Sequence, residues 1–471
     1  MERIKTDLCI IGAGSAGLSL AAGAVQMGAR VVLVEGHKMG GDCLNYGCVP
    51  SKALIAAAAQ AQAMREGAAY GVAPVEPDID YAAVMTHVAR AIATIAPHDS
   101  VERFEGLGVR VIQDWGRFTS ERELEAGDHL IRARRFVIAT GSRPLVPPIP
   151  GLDTVPYLTN ETLFDLRERP EHLVVIGGGP IGMEMAQAHA RLGSKVTVIE
   201  GATALGREDP ELAAPVLARA RAEGVEIVEG AKVTAVAGQA GAIRVETEAG
   251  AHEGSHLLVA VGRTPALDKL NLDAAGVETT KAGVKVGADL RATNRRVYAI
   301  GDAAGGMQFT HLAGYHASVV IRSILLGLPA KARTDHIPRV TYTAPELAQI
   351  GPTEDEARAE HGDKLTVVRF DFAANDRAIA TGQTAGAIKV MVVGGKPVGA
   401  GIVGAEAGEL IGLWALALAK GLSMADISAM VAPYPTLGEV NKRAAGAYFS
   451  PKLFENPWVK RGVRLVQRLL P

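Results

Sequence analysis

Two of the chain's three cysteines stand in one short stretch, GGDCLNYGCVPSKAL, at positions 40–54. Cys43 and Cys48 could bind a metal, staple the fold or react. Zinc sites use closer thiol spacings with a second Cys or His pair, and this chain offers no second pair, so no metal site is expected. A bridge made only for stability would close a short loop and gain little entropy. Within one regular helix, five residues rise ~7.5 Å, whereas bridged Cα atoms sit ~4.4–6.8 Å apart. The backbone must therefore be distorted between the two, and Gly47 is the residue that allows it.

The bulk of the sequence narrows the setting. A chain of 471 residues holds about two to four domains. A formal net charge of -2 provides no basic excess to displace counterions, which argues against nucleic acid as a partner. Three cysteines are too few for a secreted disulfide scaffold. The opening MERIKTDLCIIGAG passes directly into a strand pattern, without the layout of a signal peptide. The longest apolar run, LIGLWALALA before Lys420, is about half a membrane span and reads as a buried helix, so no transmembrane segment is expected. A cytoplasmic protein is expected, and in that reducing compartment a cysteine pair is more often catalytic than structural. Cys9, inside the apolar first strand, reads as core.

The elements that must position the pair are two copies of one pattern. DLCIIGAGSAGLSLAAGAVQMGARVVLVE reads as strand, glycine loop, helix and strand, with Gly12, Gly14 and Gly17 in G-x-G-x-x-G order and Glu35 closing the second strand. One glycine makes the turn, one admits a pyrophosphate to bare backbone, one packs helix on strand, and the acid accepts a ribose hydroxyl. HLVVIGGGPIGMEMAQAHARLGSKVTVIE repeats this with Gly177, Gly179, Gly182 and Glu200. Two such folds imply two dinucleotides. The chain divides into a first dinucleotide unit over 1–150, a second over 151–269, a return to the first over 270–336, and a final segment over 337–471. FVIATGSRPLVPPIPGL at 136–152 reads as a buried strand, a turn and a Pro-rich linker. The final segment lacks a glycine loop, and AIKVMVVGGKPVGAGIVG within it reads as a hairpin with a Gly-Gly turn; its expected job is an interface or a substrate wall.

Taken together, these features resemble the pyridine nucleotide–disulfide oxidoreductases. The resemblance rests on both glycine loops, the Cys43–Cys48 box, ATG at 139–141, VGRTP at 261–265, VYAIGD at 297–302 and TAPELAQIGPTEDEA at 343–357. It implies an α/β fold of two Rossmann-like domains and a C-terminal α+β dimerisation domain, working as a homodimer. FAD would occupy the first loop, with Gly116, Thr140, Gly141, Ser142, Asp302 and the segment Gln308, Phe309, Thr310 and His311 around it. NAD(H) would occupy the second, with Gly262 beside it. Glu200 would repel a 2′-phosphate and favour NADH; Arg207, close in sequence, keeps NADP(H) within reach. Pro180 stands where relatives carry Tyr or Val.

Electrons would pass from nicotinamide to flavin and on to a Cys43–Cys48 disulfide. By the same resemblance Cys48 is the thiolate against the flavin and Cys43 the interchange thiol. A helix starting just after Cys48 would stabilise that thiolate. Lys52, one turn along on the same face, would sit by the flavin and pair with Glu184. Asp42 stands where many relatives carry Thr, and its carboxylate would disfavour ionisation of Cys43.

The disulfide reductases of the family carry HPTxxE, in which His moves the proton. Here the motif reads YPTLGE, with Tyr434 and Glu439. A phenol with an unperturbed pKa of ~10 is a poor base near neutrality. The Tyr, and GREDP at 206–210, resemble the mercuric reductase branch, whose terminal Cys-Cys has no counterpart in FENPWVKRGVRLVQRLLP. The expected acceptor is a small or protein-bound disulfide, with dihydrolipoamide dehydrogenase the nearest label. A soft metal ion is the alternative, as is direct reduction of quinone, oxygen or metal by the flavin. Val459, Val463, Val466 and Leu470 alternate with Lys460, Arg461, Arg464 and Arg468 at near-helical spacing, and this stripe is expected to pack on its own protein or on a second subunit.

Overall fold

The strand Glu2–Ile11 is the centre of the first unit. Its last residues, Leu8 to Ile11, are buried on both faces, as a strand between parallel neighbours requires. It pairs in parallel with Val31–Val34 on one side and with His129–Ile138 on the other. The resulting seven-stranded sheet also takes in Arg110–Ile112, the antiparallel Gly116–Ser120 and Glu123–Ala126, and the late strand Val297–Ala299. Cys9 pairs with Val32 and Phe136 and is wholly buried; burial alone pushes its thiol far above the ordinary value. It is core. The computed structural model describes residues 1–470.

A second parallel sheet of four strands runs Val225–Val228, Lys195–Ile199, His172–Ile176 and His256–Val259. A three-stranded antiparallel sheet over 233–254 lies beside it. The chain passes from the first sheet to the second through Ser142–Pro144 and returns through Arg263–Pro265, and these two segments pair with each other antiparallel.

The helix Cys48–Arg65 packs against the helix Pro180–Arg191 of the second unit, with Leu54, Ala58, Met183 and Ala186 in one buried cluster. This packing brings the cysteine box and the second glycine loop to the same cleft.

Residues from Arg339 onward build a five-stranded antiparallel sheet. Ala387–Val393 and Lys396–Gly404 form the expected hairpin, with Gly394 and Gly395 at positive φ in the turn. The apolar run becomes the helix Gly412–Lys420, whose Trp414 is fully buried and donates to Asn441. Lys389, itself buried, ties this sheet to the second unit by reaching Asp209, Glu211 and Glu354 at 2.9, 2.8 and 2.6 Å. The C-terminal stripe forms the helix Pro457–Leu469, and none of its residues is buried. It does not pack on its own chain as expected, because its cationic and apolar faces both lie open to solvent.

Candidate active site

Cys43 lies in the short helix Gly41–Asn45, and Cys48 opens the next helix. That helix begins at Cys48 itself rather than just after it, so the thiol stands at the end whose partial positive charge favours a thiolate. The expected distortion is the junction between the two helices. An added Cβ on Gly47 would lie 2.8 Å from Asp42 Oδ2 and 3.1 Å from Asp42 O. Only glycine lets the chain turn that closely.

Both cysteines are free thiols. A hydrogen bond between them sets their difference: it holds Cys43 well above the ordinary thiol value, reinforced by burial, and draws Cys48 down to about 6. Partial desolvation by the surrounding walls opposes ionisation of Cys48, although the residue itself is exposed, while Thr310 and the charge of Lys52 favour it. Thr310 Oγ1 lies 3.3 Å from Cys48 Sγ. Near neutrality the pair therefore holds one thiolate, centred on Cys48, and Cys43 keeps its proton. Asp42 acts differently from the expectation. Its Oδ1 accepts from Asn160 Nδ2 at 3.0 Å and pairs with Arg263 at 2.9 Å, so the carboxylate is committed to a cation, and its charge is felt at Cys48 and Asp302.

Lys52 Nζ reaches Glu184 Oε2 at 2.8 Å and sits 4.2 Å above the centroid of the Tyr342 ring. The other oxygen of Glu184 accepts from Tyr342 N at 2.9 Å. Glu184 is 5% exposed, so both carboxylate oxygens are satisfied inside the protein.

The two glycine loops are built alike. An added Cβ on Gly17 would lie 1.9 Å from Gly12 O, and on Gly182 1.9 Å from Gly177 O. Each third glycine thus brings its helix onto the preceding turn. Glu35 accepts from the amides of Ala13 and His37 at 2.5 and 2.8 Å; Glu200 does the same with Gly178 and Ala202 at 2.8 and 2.9 Å. Gly14 and Gly179 each begin a helix with no side-chain cap, leaving bare amides for an anion. Beside the first loop Thr140 Oγ1 is buried with no hydrogen-bond partner, an orphan that a polar ligand atom would satisfy. Ser142 donates to Asp302 at 2.5 Å, and burial pushes the Asp302 carboxyl up. These residues fit a dinucleotide in each loop.

One cleft of about 2150 Å³ joins them, well beyond the roughly 300–1,000 Å³ of a single small-ligand pocket. It is lined by Gly12, Gly14, Glu35, Gly116, Gly141, Asp302 and 308–311 at one end, and by Gly177, Gly179, Glu200 and Gly262 at the other. Cys43, Cys48, Lys52 and Glu184 line it as well.

Residues 6–317 match the model of the pyridine nucleotide-disulphide oxidoreductases, and residues 337–445 match the dimerisation domain of the same proteins. The chain belongs to this family. Mercuric reductase of Bacillus cereus is 34% identical over 93% of this chain and 70% of its own length. Dihydrolipoyl dehydrogenase of Bacillus subtilis (strain 168) is 34% identical over 92% and 96%. Among solved structures, the Cu(II) complex of the HOCl-induced flavoprotein disulfide reductase RclA from Escherichia coli superposes with a TM-score of 0.85 at 28% identity, covering 94% of this chain and 99% of that one. As a pyridine nucleotide–disulfide oxidoreductase, the chain is a flavin- and NAD(P)H-dependent enzyme acting on sulfur groups.

Two residues of this family's motif are not in the cleft. Tyr434 is 68% exposed on the third sheet's unit, where its hydroxyl donates to Asp376 Oδ2 at 2.7 Å. That hydrogen bond raises the phenol above its ordinary value. Glu439 opens the following helix, with Arg443 the nearest cation at 3.9 Å. Sequence reasoning missed Tyr342, Asn160 and Asp376. Tyr342 directly precedes a recognised motif; Asn160 and Asp376 stand far along the chain from Asp42 and Tyr434, and no local spacing points to them.

Proposed function

We infer that the chain works as a homodimer in which Cys43 and Cys48 carry electrons from NADH, by way of FAD, to a disulfide substrate. The observation that supports this most is the asymmetric thiol pair, with Cys48 drawn to about 6 beside Lys52 and Thr310 and Cys43 held protonated. FAD, when bound, supplies a two-electron carrier between the nicotinamide and the pair. Gly12, Gly14, Glu35, Thr140 and Asp302 would hold it, and Gly177, Gly179 and Glu200 would hold the nicotinamide nucleotide.

The chain's own part is thiol exchange. Cys43 passes its proton to the hydrogen-bonded Cys48 thiolate and attacks one sulfur of the substrate disulfide; that S–S bond breaks, and the leaving thiolate takes the proton from Cys48, which is again a thiolate. The Cys48 thiolate then attacks Cys43 in the mixed disulfide, releasing the second thiol and closing a Cys43–Cys48 bond. Two electrons pass to the substrate. Lys52, anchored by Glu184, keeps Cys48 ionised for the second attack. Tyr434 and Glu439, outside the cleft of their own chain, would meet the site of the other copy through the dimerisation domain.

A soft metal ion as acceptor has one observation in its favour. Tyr434 is committed as a donor to Asp376 and is pushed up, so it offers no base near neutrality, and thiolate transfer to a metal needs none. The flavin spectrum tests the relay. Dithiol reduction should bring up a long-wavelength charge-transfer band, Cys48→Ser should abolish it, and Cys43→Ser should show it without reductant. If neither variant alters the spectrum, the relay is wrong. Turnover of NADH with lipoamide, glutathione disulfide, Hg(II), quinone and oxygen then separates the acceptors.

A further inference from the structure

The helix Pro457–Leu469 lies beyond the matched dimerisation domain, which ends at residue 445. Projected at about 100° per residue, Trp458, Val459, Val463, Leu465, Val466 and Leu469 share one side. Lys460, Arg461, Arg464 and Arg468 share the other, and no Asp or Glu occurs in the helix. None of its residues belongs to a hydrophobic cluster of the protein; the last cluster on the chain closes with Ala445, packed by Tyr448 and Phe449. Trp458 is 75% and Leu469 72% exposed, and Leu453 and Phe454 in the preceding turn are exposed too.

We propose that this helix holds the enzyme on an anionic phospholipid surface. The charge pattern selects that occupant. Among the described residues, no helix that packs on protein carries more than two Lys or Arg without an acid: Cys48–Arg65 has Lys52 and Arg65 alone, whereas Glu354–His361 sets Glu354, Asp355 and Glu356 beside Arg358, and Pro210–Ala222 sets Glu211 beside Arg219 and Arg221. The whole chain is balanced, with 49 basic and 51 acidic residues, so four cations without one acid do not follow from composition. A face of cations alone complements phosphate headgroups, while the apolar face enters the acyl boundary and Trp458 stands at the interface. Thirteen residues span ~20 Å, short of the ~30 Å hydrocarbon core, so the helix lies in the plane of the surface. No helix among the described residues is long and apolar enough to cross a membrane.

The test uses full-length, FAD-loaded protein sedimented with vesicles of phosphatidylcholine alone or mixed with phosphatidylglycerol. Binding to the anionic vesicles should exceed binding to neutral ones roughly tenfold or more at low salt and fall as salt rises. Arg461→Glu with Arg464→Glu should abolish the excess, and Leu465→Ser with Val466→Ser should weaken binding to the anionic vesicles. Both should leave NADH-dependent turnover in solution and the subunit count unchanged, because the helix stands outside the cleft. Equal binding to the two vesicle types, or binding to neither, overturns the proposal. So does a serine pair that splits the dimer, since the apolar face would then belong to the subunit contact.

Discussion

Lys52 Nζ lies 2.8 Å from Glu184 Oε2, an ion pair that joins the helix carrying Cys48 to the helix of the second glycine loop. Its charge is one reason Cys48 ionises early. Lys52→Met should therefore move the inflection in the iodoacetamide alkylation rate of the dithiol enzyme above pH 6. Glu184→Ala should leave Tyr342 N–H without its partner and destabilise the fold by about 1–3 kcal/mol. An alkylation profile identical to wild type in Lys52→Met would show that the lysine charge does not reach the sulfur.

The thiol pair predicts its own pH dependence. Cys48 is lowered from the ordinary 9.0 to about 6, so its thiolate is present above that pH and is lost as pH falls through it. Alkylation should be fast near neutrality and decline in acid. Cys43→Ala removes the hydrogen bond that contributes most to the shift, and its inflection should rise toward the ordinary thiol range. An unmoved inflection would assign the shift to Thr310, Lys52 and the helix terminus instead.

Tyr434 separates the two acceptors. With a disulfide as natural acceptor, Tyr434→His should raise lipoamide turnover, since a positioned proton carrier contributes ~10²–10⁴-fold. With a soft metal ion, the same change should leave Hg(II)-dependent NADH oxidation level or lower it. Weak wild-type lipoamide turnover, improved by histidine, is the expected result; brisk turnover that collapses in Tyr434→Phe would mean that the phenol moves the proton.

Glu200 accepts from Gly178 N and Ala202 N at the mouth of the second loop. A carboxylate so placed favours a ribose hydroxyl over a phosphate. The ratio of kcat/KM for NADH to that for NADPH should exceed unity and shrink in Glu200→Ser. Arg207 also lines the cleft, and a clear NADPH preference would give it the leading role.

Lys389 predicts stability rather than turnover. Lys389→Met leaves the buried Asp209 without its cation, while Glu354 keeps Arg358, and should cost about 3–5 kcal/mol, the usual penalty for breaking a buried pair. Thermal unfolding should shift down in the variant. A melting profile like the wild type would place the three carboxylates in better contact with water than their packing implies.

The sequence announced whatever local spacing encodes. The glycine loops, Glu35 and Glu200 fall where strand, turn and helix lengths put them, and Lys52 follows Cys48 by one helical turn. The hairpin at Gly394 and the buried Trp414 helix follow from pattern alone. What escaped depends on contacts between distant segments. Asp42 looked like a charge against Cys43 because that cysteine follows it directly in sequence; the fold instead delivers Arg263 to it. Tyr434 looked like an isolated replacement until Asp376 came beside it. The amphipathic tail was legible as a helix, but whether anything covers it is decided by the rest of the surface.

The paired segments Ser142–Pro144 and Arg263–Pro265 have a consequence for modularity. Leu145 N donates to Gly262 O at 2.9 Å, so the ends of the intervening stretch are already in contact. Such a stretch is an insertion whose removal leaves a gap that one tight turn can close. The segment over 145–262 thus leaves and re-enters the first unit at one place, but its helix Pro180–Arg191 shares a buried cluster and the Lys52–Glu184 ion pair with the helix that carries Cys48, so an exchange between relatives would work only where the incoming segment matches that face of the cysteine box.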